Sequence, residues 1–279
     1  MSVFLIWGSI GRSTNFRDYL KKRFWRIYPE LWVAVSIELI VLIILHGDSI
    51  KWSQFMLFSF TQSTIFQFWT PDCLRSYGCG CPNGALWTIC VLIQFYFFAY
   101  FLYKWLHGKK IMYWIITLLA SILLSYLLIN LQQHIPVLIG KLLRQTLLPY
   151  LWMFIFASLF AEKKATIIPY LETSWPLFFI LTLAVSHIGF DLRVGYNLLH
   201  TTCLFLCLAG FAYRFHFLDI KTDISYGIYI YHMTIVNVLI NFGFSRNQWL
   251  MVFVILSSCL VAWISAATIG KYSIIKKYS

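Results

Sequence analysis

Charge is the scarcest commodity in this sequence. Asp, Glu, Lys and Arg together make up 11% of its 279 residues, and only ten residues are acidic. Soluble domains carry about a quarter of their residues as charges. With 60% hydrophobic residues, a water-soluble fold of this size would be left with large exposed apolar patches. The long apolar runs also lack the strict alternation of barrel strands, which leaves helices as the spanning element. No low-complexity segment, internal repeat or cleavable signal peptide is evident in the sequence either. Ligand spacing for a metal is also missing. Cys73, Cys79 and Cys81 cluster in the loop CLRSYGCGC, but no histidine or fourth cysteine stands near them. No metal is expected there; ordinary thiols, or one disulfide if the loop faces an oxidising space, both remain open. The other four cysteines, Cys90, Cys203, Cys207 and Cys259, lie in apolar runs, where a thiol behaves as a small hydrophobe.

What is present fits a membrane. Aromatics make up 19% of the chain and the mean hydropathy is +0.74. The hydropathy pattern predicts an all-α, polytopic helical membrane protein with about eight full spans, near 27–46, 85–106, 111–130, 146–161, 173–189, 195–213, 225–243 and 248–270. The start, MSVFLIWGSIG, is apolar but too short to cross at about 1.5 Å per residue, so it reads as a partial ninth span. Residues 53–70 are aromatic but dotted with polar groups, as in an interfacial or re-entrant segment. With the segment before residue 27 placed inside, sixteen of the 22 Lys and Arg fall in inside loops and at the C-terminus. That bias predicts a cytoplasmic C-terminus and accounts for the net charge of +12 without nucleic acid as a partner.

Three stretches carry possible chemistry. In KKRFWRIYPE, Arg23 and Arg26 are three apart and share a helix face. Two guanidiniums there suit a phosphate, but spacing alone favours a positive-inside signal flanked by the interface aromatics Trp25 and Tyr28. Glu30, four residues after Arg26, reads as its local ion-pair partner. In PNGALWTICVLIQFY, Trp87 and Tyr96 read as aromatic-belt residues. In DISYGIYIYHMT, Ser225, Tyr229 and His232 follow helical spacing. A histidine at that depth is a functional candidate, or else a structural one bonded to tyrosine. Glu38, inside VAVSIELIVL, has to face protein or water, or be protonated.

Taken in order, these pieces resemble the membrane-bound acyltransferase 3 family, bacterial inner-membrane O-acyltransferases of surface polysaccharides. Ser2-Val3-Phe4-Leu5-Ile6 is similar to the family's S-G-F-L-I at the end of its second span. R-F-W-R-I-Y-P is similar to its R-x-x-R-I-Y-P, P-N-G-A-L-W-T-I…Q-F-Y to its W-[ST]-L…E…F-Y helix, and S-Y-G-I-Y-I-Y-H to its S-Y-x-x-Y-L-x-H. The resemblance implies a single integral-membrane domain over 1–279, N-terminally truncated relative to the family, in the bacterial inner membrane. It implies transfer of an acyl group, acetyl in most members, from acyl-CoA to a hydroxyl of a lipid-linked or polymeric glycan such as O-antigen. Arg23 and Arg26 would meet the phosphates of acetyl-CoA, with no bound cofactor. Ser2, Trp87, Gln94, Tyr96, Ser225 and Tyr229 would support the site.

The departures are specific. The family carries a basic residue and a histidine in its first span, and this chain begins after that span. Val3 replaces a glycine and Leu92 a glutamate, and a leucine can neither take a proton nor orient a histidine. No soluble esterase-like domain follows. Within the chain the base left is His232, and an inactive remnant of the enzyme is also expected as a reading. The alternative from another class is a non-enzymatic glycan transporter or flippase component, with Glu38, His187, His200 and His232 among the few polar residues along its path.

Overall fold

The computed structural model describes residues 2–189, 197–215, 223–244 and 249–270. All regular elements among them are helical, as lipid demands of a chain that cannot close a barrel: a helix satisfies its backbone groups within the segment. In chain order the α-helices are α1 (Ser2–Gly11), α2 (Phe16–His46), α3 (Trp52–Ser63), α4 (Trp87–Leu106), α5 (Ile111–Leu131) and α6 (Val137–Arg144), then α7 (Leu151–Glu162), α8 (Lys164–Ile188), α9 (Leu198–Arg214), α10 (Ser225–Asn241) and α11 (Trp249–Ser265).

Each of the eight segments expected to span contains a helix among the described residues. Five of them, α2, α4, α5, α8 and α11, are long and apolar enough to cross a membrane, and α6 with α7 makes a sixth if read as one span bent by 52°. Helices α9 and α10, at 17 residues each, are shorter. Spanning helices present large apolar side chains outward, Ile44, Ile180 and Leu256 among them, which lipid solvates and water would not. The partial N-terminal span is α1, and the twelve-residue α3 covers the polar-dotted stretch 53–70 only as far as Ser63.

The chain forms two compact units. The first comprises Met1–Tyr19 and Gln94–Asp219. Its core gathers Trp7, Leu102, Leu106, Trp114 and Ile155. Glu162 closes one end, accepting hydrogen bonds from Trp7 Nε1 (2.8 Å), His107 Nδ1 (2.9 Å) and the backbone N–H of Gly108 (2.9 Å). Helices α8 and α9 pack so closely that a Cβ on Gly210 would fall 2.4 Å from the carbonyl oxygen of Leu171. Between α6 and α7 the backbone leaves the helix, and side chains take up its polar groups: Ser125 donates to the Pro149 carbonyl (2.7 Å), and Gln94 donates to the Gln145 carbonyl (2.8 Å) while accepting from the Leu147 N–H (3.0 Å). Non-helical backbone at membrane depth is tolerated where protein satisfies it in this way.

The second unit comprises Leu20–Ile93 and Ile220–Ser279. The loop side of α2 packs Leu42 against Phe55 and Phe58 of α3 and Leu74 and Tyr77 of the following loop. Helix α10 lies along α11 with Gly227 at the closest approach: an added Cβ would sit 2.8 Å from Ala262 Cβ. Two asparagines fasten the loop before α4 onto α10. Asn237 donates to the carbonyls of Cys81 (2.9 Å) and Pro82 (2.6 Å) and accepts from the Cys79 N–H (2.9 Å). Asn83 donates to the carbonyl of Ile230 (2.8 Å).

Candidate functional site

The second unit holds most of the residues singled out from the sequence. Arg23 and Arg26 occupy successive turns of α2, but their surroundings differ: Arg23 is 7% exposed, whereas Arg26 lies at the surface. Arg26 Nη2 contacts Asp223 Oδ2 at 2.5 Å. Here the expected local ion pair is corrected. Glu30 bonds Ser265 rather than Arg26, accepting from Ser265 Oγ at 2.9 Å, and that hydroxyl in turn accepts from Tyr231 OH at 3.1 Å. The physical reason is reach: α11 brings a hydroxyl to Glu30, and the segment preceding α10 brings a carboxylate to Arg26.

Asp223 does more than neutralise Arg26. Its Oδ1 accepts from the backbone N–H (3.1 Å) and the Oγ (2.6 Å) of Ser225, at the start of α10. Partial burial pushes the Asp223 carboxyl upward, but the Ser225 hydrogen bonds and the Arg26 guanidinium outweigh it and hold the group below the ordinary carboxylate value. Ser225, at helical spacing from Tyr229 and His232, is thus engaged locally with Asp223.

One turn on, Tyr229 OH donates to the Ala85 carbonyl (2.6 Å) and contacts Thr88 Oγ1 in the first turn of α4, the turn that Trp87 begins. Half-buried His232 turns Nδ1 toward the carbonyls of Tyr229 (2.7 Å) and Ile228 (3.2 Å). Carbonyl oxygens only accept, so Nδ1 carries a hydrogen, and in the neutral ring Nε2 is the acceptor nitrogen. The Tyr229 and His232 rings stand 6.0 Å apart. Ser225 and His232 are about 10 Å apart along the axis at 1.5 Å per residue. The arrangement is a surface guanidinium at one end of α10 and a lone-pair imidazole two turns along it.

Other expected residues fall elsewhere. Gln94 and buried Tyr96 belong to the first unit, where Gln94 secures the break between α6 and α7. The side chain of Ser2 lies outside the described residues. Glu38 is 2% exposed with both carboxylate oxygens lacking a protein partner. Cys73, Cys79 and Cys81 are free thiols, and among the described residues no three His, Cys, Asp or Glu side chains gather as metal ligands. Sequence reasoning passed over Asp223, Thr88, Tyr231, Ser265 and Asn237. Asp223 had a readable signal, an acidic residue two before a serine at a helix start. Asn237 had another, a polar amide deep in an apolar helix.

Helices long and apolar enough to cross a membrane define a polytopic helical membrane protein. The family comparison makes this specific: a model described as an acyltransferase domain matches residues 1–267, and the chain belongs to the membrane-bound acyltransferase 3 family. It is similar to Nodulation protein 10 of Rhizobium leguminosarum bv. viciae, with 25% identity over 279 aligned positions that cover 90% of this chain and 74% of that protein. No solved structure matches.

Proposed function

We propose that this chain transfers an acetyl group from acetyl-CoA to a hydroxyl of a lipid-linked or polymeric surface glycan, such as O-antigen or exopolysaccharide, in the bacterial inner membrane. Family membership across residues 1–267 is the observation that carries this reading. The Lys and Arg bias supports a cytoplasmic C-terminus. Arg26, exposed at the start of the α2 span and one turn from Arg23, is the group for the phosphates of CoA, which guanidinium binds in a two-pronged fashion.

His232 is the base in this proposal. Its Nε2 takes the proton of the sugar hydroxyl as that oxygen attacks the thioester carbonyl carbon. The tetrahedral adduct collapses, the C–S bond breaks, and the departing CoA thiolate receives the proton from His232. The products are an ester and free CoA. Tyr229, one turn before His232 and bonded to Ala85 and Thr88, holds this part of α10 against the start of α4.

The test is expression of the chain in a strain that lacks its own O-acetyltransferase, followed by measurement of ester-linked acetyl on the polysaccharide and of CoA release. Acetylation is expected, with H232Q losing about 10²–10⁴-fold. Transport of labelled glycan by the purified chain in liposomes, with no acyl-CoA consumed, would overturn the reading in favour of a transporter.

A further inference from the structure

The carboxylate that faces Arg26 is held unusually well for a surface partner. Asp223 reaches Arg26 at 2.5 Å with side-chain exposures of 47% and 40%, and its other oxygen is occupied by Ser225. One carboxylate therefore ties the first turn of α10 to α2. To a guanidinium, a carboxylate and a phosphate are close equivalents: both are anionic, offer only acceptor oxygens and match its planar set of N–H donors. Both cannot sit on the same Nη2 edge.

We propose that Asp223 is the internal competitor of the donor's phosphate for Arg26, so that binding of the CoA phosphate releases the first turn of α10. This rests on the reading of Arg26 as a donor-binding residue and adds to it a coupling between donor and helix. The released part is short. Beyond Ser225, α10 stays tied through Tyr226 OH to the Ile27 carbonyl (3.2 Å), through Tyr229 to Ala85, and through Asn83 and Asn237 to the loop before α4. The lower part of α10, which carries His232, is thus left in place while its entry loosens. Glu30, one turn further along α2, is hydrogen-bonded to Ser265 (2.9 Å) and not to the Arg26–Asp223 pair. Linkage is reciprocal: whatever the phosphate does to the turn, holding the turn does to the phosphate.

The probe is adenosine 3′,5′-bisphosphate, binding to the purified full chain in nanodiscs, with hydrogen exchange read at the α10 start. R26Q tests the donor-binding reading, and loss of binding is expected. D223N tests the inference: removing the competing charge should tighten binding roughly fivefold or more, while D223E should bind like the unaltered protein. In the unaltered protein, saturating bisphosphate should speed exchange of the Ser225 amide, whose N–H is the one bonded to Asp223. If R26Q loses binding but D223N binds equally or more weakly, or if Ser225 exchange stays protected under saturating probe, the competition is refuted and donor binding at Arg26 stands. If R26Q binds normally, the donor reading itself falls.

Discussion

Replacing Gly227 with alanine tests the packing that brings the site's helices together. In an isolated helix the change is favourable by about 1 kcal/mol. Here the new Cβ would lie 2.7 Å from Glu30 Oε1, 2.8 Å from Ala262 Cβ and 2.9 Å from Ala262 Cα. Carbon pairs rest at about 3.5–4.0 Å, so α10 and α11 would have to part by most of an ångström. Ala262 cannot swing aside, because two of the clashing atoms are its Cα and Cβ. The cost belongs near the top of the overpacking range, about 3 kcal/mol. Pushing Glu30 aside also strains its bond to Ser265, adding about 1 kcal/mol. Against the helix-propensity gain, a net loss of about 3 kcal/mol is expected. The assay is thermal or denaturant unfolding in nanodiscs, with Gly47→Ala as control, since nothing lies within 4 Å of a Cβ there. Ala262→Gly in the same chain should recover part of the loss. If G227A is as stable as the parent while the control behaves normally, the close approach of α10 and α11 is wrong.

Four further outcomes follow from the same geometry. Asn237→Ala removes three hydrogen bonds to the loop and should cost about 3 kcal/mol, seen as faster proteolysis between residues 64 and 86. Glu162→Ala strips the partners of Trp7, His107 and Gly108 and should lower stability by about 2–3 kcal/mol, with a shift in tryptophan emission. Glu38→Met removes a buried carboxyl whose oxygens have no protein partner and should raise stability by about 1–3 kcal/mol; a lower melting temperature would show that the carboxyl is satisfied. The Asp223 carboxyl is held below its ordinary value of 3.8, so its contribution is full above that pH and is lost as pH falls through the lower, folded-state value. The melting temperature of the parent should therefore exceed that of D223N at neutral pH, with the gap closing below pH 3.8.

The helices were legible because lipid leaves the chain no other way to satisfy its backbone, so hydropathy alone marks them. The expected 146–161 segment shows where that signal thins. Its helix runs only from Leu151, and the preceding turn, with Gln145, Thr146 and Pro149, interrupts a bent pair that begins at Val137. Hydropathy cannot say that Gln94 and Ser125 will satisfy that break. The site was legible in the same partial sense. Spacing places Ser225, Tyr229 and His232 along one helix, as found, but it cannot supply partners from distant segments. Local spacing offered Glu30 to Arg26 because it considers only neighbours on one helix; Asp223 is 197 residues away. Gln94 bonds Gln145 and Leu147 at the α6–α7 break within the first unit, partners that spacing along α4 cannot supply.

Within the second unit, the polar ties of α10 explain why one of them is suited to exchange. Helices in lipid gain little from hiding apolar surface against each other, so packing and hydrogen bonds decide how firmly they associate. Helix α10 bonds to α2 through Tyr226, to α4 and its preceding loop through Tyr229, Asn83 and Asn237, and to α11 through Tyr231. All of these are buried or partly buried, less open to solvent than an exposed pair. The Asp223–Arg26 pair, just before the helix, is exposed. An exposed ion pair is worth about 0–1 kcal/mol, little enough for a phosphate at ordinary cellular concentration to displace. The same exposure that makes this tie weak as a structural element leaves it open to a competing anion, while the more buried ties hold the rest of α10.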